Sequence, residues 1–245
     1  MDAKADKLTA LRELINGSGN IVFFGGAGVS TESGIPDFRS AGGLFSERAG
    51  NLSPEEILSR RFFMNHPEEF FEFYKTKMIY KEARPNHAHL ALAGLEQAGK
   101  LKAVVTQNID GLHQQAGSKE VLELHGSVHR NHCMKCRRFF DLDYVIESPG
   151  VPKCDQCGGI VKPDVVLYGE NLDTDILNKS VEYIARAEVL IVAGTSLRVY
   201  PAAGLIRYFS GKHLVLINKS STPYDDMAEL IINDSIGETL KACLT

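Results

Sequence analysis

Several features that define whole classes of protein are missing from this 245-residue sequence. It has no apolar run of 18 residues, which a membrane-spanning helix requires, and its N-terminal stretch MDAKADKLTALREL lacks the apolar core of a signal peptide. It has no dense stripe of lysine and arginine, since KCRR at 135–138 is the largest cluster and the formal net charge is −4. We therefore expect a cytoplasmic protein whose partners are neither membranes nor nucleic acids.

The glycine-rich stretch at 26–39, GAGVSTESGIPDFR, predicts a nucleotide site. It follows the apolar run at 21–24, and glycines at its start let the backbone turn tightly and aim free N–H groups at a phosphate. Such a turn alone could merely link a strand to a helix, but SGIPDFR sets an acid and a base beside a rigid proline. The dehydrogenase fingerprint GxGxxG needs glycine where this chain has Thr31, and no acidic residue ends an obvious second strand about 20 residues on. The loop thus favours a dinucleotide site but not ordinary hydride transfer.

Four of the five cysteines form two CxxC pairs. Cys133 and Cys136 are followed by Cys154 and Cys157, a spacing typical of zinc knuckles in which four thiolates surround one tetrahedral ion. In a reducing compartment, metal binding is favoured over two disulfides. Because four sulfur ligands close the coordination shell, we expect zinc to stabilise the fold rather than to take part in the chemistry. Cys243 is expected to be a small buried apolar residue.

Apolar runs alternate with helix-like segments, which indicates an α/β fold with a Rossmann-like, mostly parallel sheet and helices on both faces. The hydrophobic content of 44% is enough for a substantial core. Asn86 is placed to cap the helix that starts after it, and Gly99 to end that helix. Strands are predicted at 20–25, 102–106, 120–124, 164–168, 189–193 and 213–217, and helices at 5–16, 66–82, 87–98, 174–186, 201–209 and 236–243.

Two stretches interrupt the alternation and predict a second, smaller domain. Residues 40–85 are rich in phenylalanine and tyrosine at helical spacing, and 127–163 hold the four paired cysteines and the turn-rich SPGVPKCDQCGG. The predicted nucleotide-binding domain comprises the remaining residues, 1–39, 86–126 and 164–245.

Polar residues follow four of the predicted strands, as TQNID at 106–110, HG at 125–126, GTS at 194–196 and NKS at 218–220. Each alone could be a turn or a helix cap. Parallel sheets bind their ligands at the carboxyl ends of the strands. Together with the loop at 26–39, these segments predict one shared crevice.

In chain order, GAGVSTESGIPDFR, TQNIDGLH, HG, the paired CxxC knuckles, YGE and GTSL resemble the motifs of the sirtuins, the NAD-dependent protein lysine deacylases. The resemblance covers nearly the whole chain. It implies a Rossmann-like domain joined to a zinc-bearing smaller domain, with NAD and acyl-lysine entering the cleft between them from opposite sides. In the family's chemistry the acyl oxygen attacks the ribose carbon that bears nicotinamide, and a histidine removes a proton from a ribose hydroxyl. NAD is consumed, and nicotinamide, free lysine and O-acyl-ADP-ribose leave.

The resemblance also implies roles for particular residues. His125 is the general base, which suits an imidazole at neutral pH. Asn108 orders the ribose and its water, Ile109 and Asp110 hold the nicotinamide carboxamide, and Phe38 shields the reactive carbon from water. The residues expected to contact NAD are Gly26, Ala27, Gly28, Thr31, Phe38, Arg39, Gln107, Asn108, Ile109, Asp110, His125, Gly194, Thr195, Ser196, Asn218, Ser235 and Ile236.

On the substrate side, an extended peptide can add as a strand between YGEN at 168–171 and SLRVY at 196–200. Family members that prefer succinyl or malonyl groups carry a tyrosine and, three residues later, an arginine. Tyr74 matches the tyrosine, but Lys77 replaces the arginine and lacks its bidentate fork, so the sequence favours deacetylation. The residues expected to contact substrate are Val166, Tyr168, Gly169, Glu170, Asn171, Leu197 and Val199.

The sequence therefore predicts an NAD-dependent protein lysine deacetylase that contains structural zinc and binds acyl-lysine proteins or peptides. Two alternatives stay open. The same NAD site could serve a mono-ADP-ribosyltransferase or a deacylase for other acyl groups. A non-catalytic NAD-sensing scaffold is the other alternative, although a pure binder has no need of both His125 and Asn108.

Overall fold

A six-stranded parallel sheet organises the computed structural model, which describes residues 3–38, 40, 42–44 and 52–244. The strands are β1 (Ile21–Gly25), β2 (Leu101–Thr106), β3 (Val121–Glu123), β4 (Gly126–Cys133), β5 (Phe139–Phe140), β6 (Val161–Val165), β7 (Val189–Ala193), β8 (His213–Ile217) and β9 (Leu230–Ile232). The α-helices are α1 (Ala3–Gly17), α2 (Pro54–Ile57), α3 (Arg60–Asn65), α4 (Pro67–Lys77), α5 (His87–Gln97), α6 (Leu112–Gln115), α7 (Leu142–Glu147), α8 (Thr174–Arg186) and α9 (Ile236–Leu244). Short 3₁₀ helices span Ala27–Val29, Thr31–Ser33, Ala202–Tyr208 and Asp225–Met227.

The parallel sheet has the strand order β3-β2-β1-β7-β8-β9. Every residue of β1 and β7 is buried, as expected for strands that are covered on both faces. On one face, side chains of α1, α5 and α9 complete a core that includes Phe23 and Ile191. On the other face, α8 and residues 202–208 cover Phe24 and Leu190. This confirms the predicted Rossmann-like sheet with helices on both faces.

Several helix boundaries follow from local signals in the sequence. The Oδ1 atom of Asn86 accepts a hydrogen bond from the N–H of Ala88 at 2.8 Å, so Asn86 caps α5 as predicted. Helix α8 has the predicted bounds, and Asp173 caps it by accepting from the N–H groups of Asp175 and Ile176. The segment predicted at 201–209 is a 3₁₀ helix, and α4 ends at Lys77 rather than at 82.

The strand predicted at 164–168 does not belong to the parallel sheet. Strand β6 at 161–165 instead pairs antiparallel with β4 in a three-stranded sheet of order β5-β4-β6. A short apolar run carries no information about the direction of its partner, which explains the error. Strands β4 and β9 were not predicted, because β4 is largely polar and β9 has only three residues.

A separate core lies beside the three-stranded sheet. Phe63, Phe70 and Phe71 are buried in it with edge-to-face ring contacts, and Cys133 and Cys154 belong to the same cluster. The apolar interior of this part of the molecule is therefore continuous with the cysteine pairs. Among the described residues, no helix is both long enough and apolar enough to cross a membrane.

Candidate active site

A cavity of about 1160 Å³ opens at the carboxyl ends of the central parallel strands. The polar segments that follow β1, β2, β7 and β8 meet there, as the strand-end pattern predicted. Most residues predicted to contact NAD or substrate line this cavity, namely Gly26, Ala27, Gly28, Thr31, Phe38, Gln107, Asn108, Ile109, Asp110, His125, Val166, Tyr168, Gly169, Glu170, Gly194, Thr195, Ser196, Val199, Asn218 and Ile236.

Four predicted residues stand apart from this set. Arg39 lies outside the described residues. Asn171 and Ser235 are not among the residues that line the cavity. Leu197 is only 1% exposed and packs in the core under the sheet, with a φ of 54°. The side chain of Leu197 therefore faces the interior.

The glycine-rich loop crosses the end of β7 at very short range. The N–H of Gly28 donates to the carbonyl of Gly194 at 2.8 Å. A Cβ on Gly28 would lie 2.7 Å from the Cα of Gly194, and a Cβ on Gly194, whose φ is 62°, would lie 2.5 Å from the backbone nitrogen of Val29. Only glycine allows this crossing. It leaves a backbone cradle without side chains at the cavity wall, which a phosphate could approach closely.

A chain of side-chain contacts extends from this cradle to the end of β8. Gln107 Nε2 donates to Thr195 Oγ1 at 3.0 Å, and the N–H of Thr195 donates to Asn218 Oδ1 at 3.0 Å. Asn218 Nδ2 is buried and has no hydrogen-bond partner among the described residues. Since an unpaired buried donor is costly, this amide is suited to an acceptor on a ligand in the cavity.

Ser30 connects two of the predicted site residues, although the sequence analysis did not single it out. Its hydroxyl donates to Asp110 Oδ2 at 2.7 Å and accepts from Asn108 Nδ2 at 3.0 Å. The other carboxylate oxygen of Asp110 accepts from the N–H of Leu112 at 2.9 Å. Each carboxylate oxygen keeps a further acceptor site, so Asp110 is held in place and can still accept from a ligand.

His125 lies between β3 and β4 and is half-buried at the cavity wall. Its Nδ1 is 3.0 Å from the carbonyl oxygen of Gln107, and because a carbonyl only accepts, we assign the proton to Nδ1. The lone pair is then on Nε2. Burial lowers the pKa of His125 below its usual value, and the hydrogen bond to Gln107 partly opposes that shift. The imidazole is therefore neutral near pH 7 and able to accept a proton.

Gly126 sets the direction of the backbone that follows His125. Its φ is 74°, and a Cβ there would overlap the carbonyl oxygen of Asp164 on the paired strand β6. The two residues of the HG pair in the sequence thus have separate roles. The imidazole supplies a candidate base, and the glycine lets β4 approach β6 directly behind it.

Two further histidines lie buried beside the site. His89 Nδ1 accepts from the N–H of Asn86, while both ring nitrogens of His113 are buried without a hydrogen-bond partner in the described structure. The two ring centroids are 4.7 Å apart. Burial lowers the pKa of His89 to about 4 and that of His113 to about 3, with the neighbouring imidazole adding to the effect on His113. Both are therefore neutral at physiological pH.

The four paired cysteines converge on one point. Their sulfur atoms all lie within 4.8 Å of one another, and the Cys133–Cys157 and Cys136–Cys154 sulfur distances are 3.4 and 3.7 Å. These distances are too long for disulfides, and they are near the ~3.8 Å between ligands of a tetrahedral ion with Zn–S bonds of about 2.3 Å. The N–H of Cys136 donates to Cys133 Sγ and lowers the pKa of that thiol, which favours a thiolate ligand. The site fits structural zinc.

Tyr74 and Lys77 are placed differently with respect to the cavity. Lys77 lines it, but Tyr74 is 0% exposed, stacks on Phe70 and does not line it. The hydroxyl of Tyr74 has no hydrogen-bond partner within the described part of the chain. Burial raises the pKa of Tyr74 far above its usual value. In this structure the phenol therefore does not present its hydroxyl to a ligand in the cavity.

The fold and the site together define an α/β protein with a dinucleotide-sized cavity beside a neutral histidine and a cluster of four cysteines that fits zinc. The family model described as "Sir2 family" matches residues 26–201. The chain belongs to this family.

Relatives and solved structures agree with that assignment. The chain is 63% identical to an NAD-dependent protein deacetylase of Clostridium perfringens over 96% of this chain and 97% of the relative, and 62% identical to one of Clostridium acetobutylicum over 98% of both. It resembles a Sir2 structure with a deacetylated p53 peptide and 3'-O-acetyl-ADP-ribose, with a TM-score of 0.90 and 40% identity over 97% of both chains. A Sir2 structure with a p53 peptide and NAD⁺ gives a TM-score of 0.84 and 42% identity over 96% of this chain and 95% of that chain.

Proposed function

We propose that this protein is an NAD-dependent protein lysine deacetylase that transfers the acetyl group to ADP-ribose and releases nicotinamide. The observation that carries the proposal is His125, a neutral imidazole with its lone pair on Nε2, at the wall of the cavity that also holds the glycine cradle. The activity is also the one named for its bacterial relatives.

NAD fits the residues present in three respects. The crossing of Gly28 and Gly194 leaves a cradle without side chains for the diphosphate. Asn218 Nδ2, which has no hydrogen-bond partner among the described residues, offers a donor at the adenosine end, and Asp110 keeps acceptor capacity for the nicotinamide carboxamide. When bound, NAD supplies the ribose carbon that receives the acyl group and nicotinamide as the leaving group.

The chain's own residues would then perform three tasks. His125 accepts a proton at Nε2, while its Nδ1–H stays on the Gln107 carbonyl and fixes the ring. Asn108 orients the ribose, and Ser30 holds the amide of Asn108 and the carboxylate of Asp110 in one arrangement. Phe38 lies at the cavity wall, where its ring would exclude water from the reacting carbon.

We propose that the acyl-lysine peptide enters between residues 168–171 and 196–200 as an added strand. The N–H of Val166 already donates to the carbonyl of His125, so the carbonyl of Val166 is the group offered to the acyl-lysine amide. Tyr168 pairs through its own N–H and carbonyl with Leu58 and Arg60. That backbone pairing holds Tyr168, at the start of the segment 168–171, in place.

We further propose two domains, with the nucleotide-binding domain at 1–39, 86–126 and 164–245 and the small domain at 40–85 and 127–163. The pairing of β6 with β4 supports moving the last boundary to follow residue 165.

Zinc would be held in the small domain by Cys133, Cys136, Cys154 and Cys157. Four sulfur ligands close its coordination shell, so the ion stabilises the fold. Paired cysteines that are not joined by disulfides support a cytoplasmic location.

The direct test is mass spectrometry of an acetyl-lysine peptide incubated with the protein, with and without NAD. We expect loss of the acetyl mass only with NAD, and no loss with His125→Ala. His87→Ala, which removes an exposed imidazole outside the cavity lining, should behave as wild type. Deacetylation without NAD, or full activity of His125→Ala, would contradict the proposal. Transfer of labelled ADP-ribose to protein in place of deacetylation would favour the transferase alternative.

A further inference from the structure

A half-buried ion pair lies directly behind the segment proposed to bind the acyl-lysine. Lys162 Nζ is 3.1 Å from Glu170 Oε2, and each side chain is only 19% exposed. Lys162 belongs to β6, and Glu170 lies at the far end of residues 165–170, which line the cavity. We call residues 165–170 the acyl-lysine segment.

The hydrogen bonds of this pair go to the backbone of the acyl-lysine segment and its flank. The ammonium group of Lys162 donates to the carbonyls of Pro163 at 3.1 Å and Val165 at 3.0 Å. With Glu170 as third partner, all three N–H donors of the ammonium are used. Glu170 Oε2 also accepts from the N–H of Leu167 at 3.0 Å.

These contacts close the acyl-lysine segment into a fixed shape. The N–H of Glu170 donates to the carbonyl of Leu167 at 2.9 Å, so the two residues contact each other through backbone and side chain. Val166 lies between the end of β6 and Leu167, and its N–H donates to the carbonyl of His125. The ion pair thus sets the orientation of the Val166 carbonyl from one side while His125 sets it from the other. Lys162 itself does not line the cavity.

We propose that Lys162 and Glu170 are positioning residues that hold the acyl-lysine segment in its peptide-binding shape, so that their loss weakens peptide binding and leaves NAD binding intact. The proposal rests on the deacetylase function proposed above. Glu170 was expected from the sequence to contact the substrate directly. The structure places its carboxylate against Leu167 and Lys162, while the residue also lines the cavity.

The test compares KM for an acetyl-lysine peptide and for NAD in Lys162→Met. Because charge-assisted hydrogen bonds to the segment are lost, we expect KM for the peptide to rise on the order of tenfold, with KM for NAD unchanged. Lys179→Met is the matched control, since Lys179 pairs with Glu120 on the surface, away from the cavity lining. It should leave both KM values unchanged.

Glu170 provides a second series that does not depend on the lysine variant. Glu170→Gln keeps an acceptor for the Leu167 N–H, so it should raise peptide KM less than Glu170→Ala does. The double variant with Lys162→Met and Glu170→Ala should raise the KM for the peptide by less than the product of the two single-variant increases, as expected for two residues that act as a unit. In each folded variant, hydrogen exchange of the Leu167 amide should become faster.

Three outcomes would overturn the proposal. An unchanged peptide KM in Lys162→Met would do so, as would equal rises in the KM of peptide and NAD. Unchanged exchange at Leu167 in Glu170→Ala would also do so. If the wild-type protein does not deacetylate the peptide at all, the proposed function fails instead, and hydrogen exchange still reports on the ion pair.

Discussion

The N–H of Val166 donates to the carbonyl of His125 at 3.0 Å. This bond joins the residue proposed to bind the acyl-lysine amide to the residue proposed to act as base. Because β6 pairs with β4 from Gly126 onward, the connection continues into a sheet rather than ending in a flexible loop. The segment proposed to hold the acyl-lysine and the proposed base are therefore positioned by the same paired backbone.

The first prediction concerns the pH dependence of the reaction. Burial lowers the pKa of His125, so the imidazole stays neutral, and competent as a base, below the usual histidine pKa of about 6.5. We expect kcat/KM to fall as the pH decreases, with the acid limb of the profile centred below about 6.5. A pH–rate profile measured with a peptide that contains no other titrating group checks this. An acid limb centred above that value would contradict the assignment.

A second prediction concerns Ser30, whose hydroxyl joins Asn108 to Asp110. Ser30→Ala leaves both partners with an unmade hydrogen bond in a buried site, at a cost of about 1–3 kcal/mol. We expect kcat/KM to fall by roughly one to two orders of magnitude, and the same unmade hydrogen bonds should lower the melting temperature by roughly 2–12 °C. Ser210→Ala removes an exposed hydroxyl that donates to the Ala185 carbonyl, and it should leave kcat/KM unchanged. A normal kcat/KM for Ser30→Ala would show that the contact is dispensable.

The third prediction concerns stability in acid. Unfolded histidine protonates near pH 6.5, whereas folded His113 stays neutral until about pH 3. Between these values the unfolded state binds more protons, so the free energy of unfolding falls as the pH decreases, by on the order of several kcal/mol. His113→Leu should reduce this slope. Urea unfolding at a series of pH values measures the slope of the free energy of unfolding against pH. An unchanged slope in His113→Leu would contradict the prediction.

Zinc gives the fourth prediction. Cys154→Ser removes one of four converging thiolates, so we expect loss of bound zinc and of soluble folded protein. Cys243→Ser is the matched control, because that cysteine is buried against Leu8 rather than among the other sulfurs. It should retain one zinc per chain by elemental analysis. A folded and active Cys154→Ser protein without metal would refute a structural role.

Much of the fold was predictable because its signals are local. Fully apolar runs such as Ile21–Gly25 indicate strands buried on both faces, and Asn86 marks a helix start. The crevice was predictable for the same reason, since polar residues directly follow the strands and parallel strands end at one edge.

The features that sequence reasoning missed depend on contacts between distant positions. Ser30 and Asp110 are separated by 80 positions, and nothing near either residue indicates their hydrogen bond. The direction of β6 is set by β4, whose polar sequence gave no strand signal. Leu197 has a positive φ and its side chain is buried in the core, which its position in the segment 196–200 does not indicate.

Acetyl transfer from lysine to ADP-ribose should depend on His125. The most direct measurement follows an isotopically labelled acetyl group from the peptide, with nicotinamide quantified in the same reaction. We expect the label to appear on ADP-ribose, with one nicotinamide released per acetyl group, and His125→Ala to form neither product at a comparable rate. Label recovered directly as free acetate without nicotinamide release would contradict it.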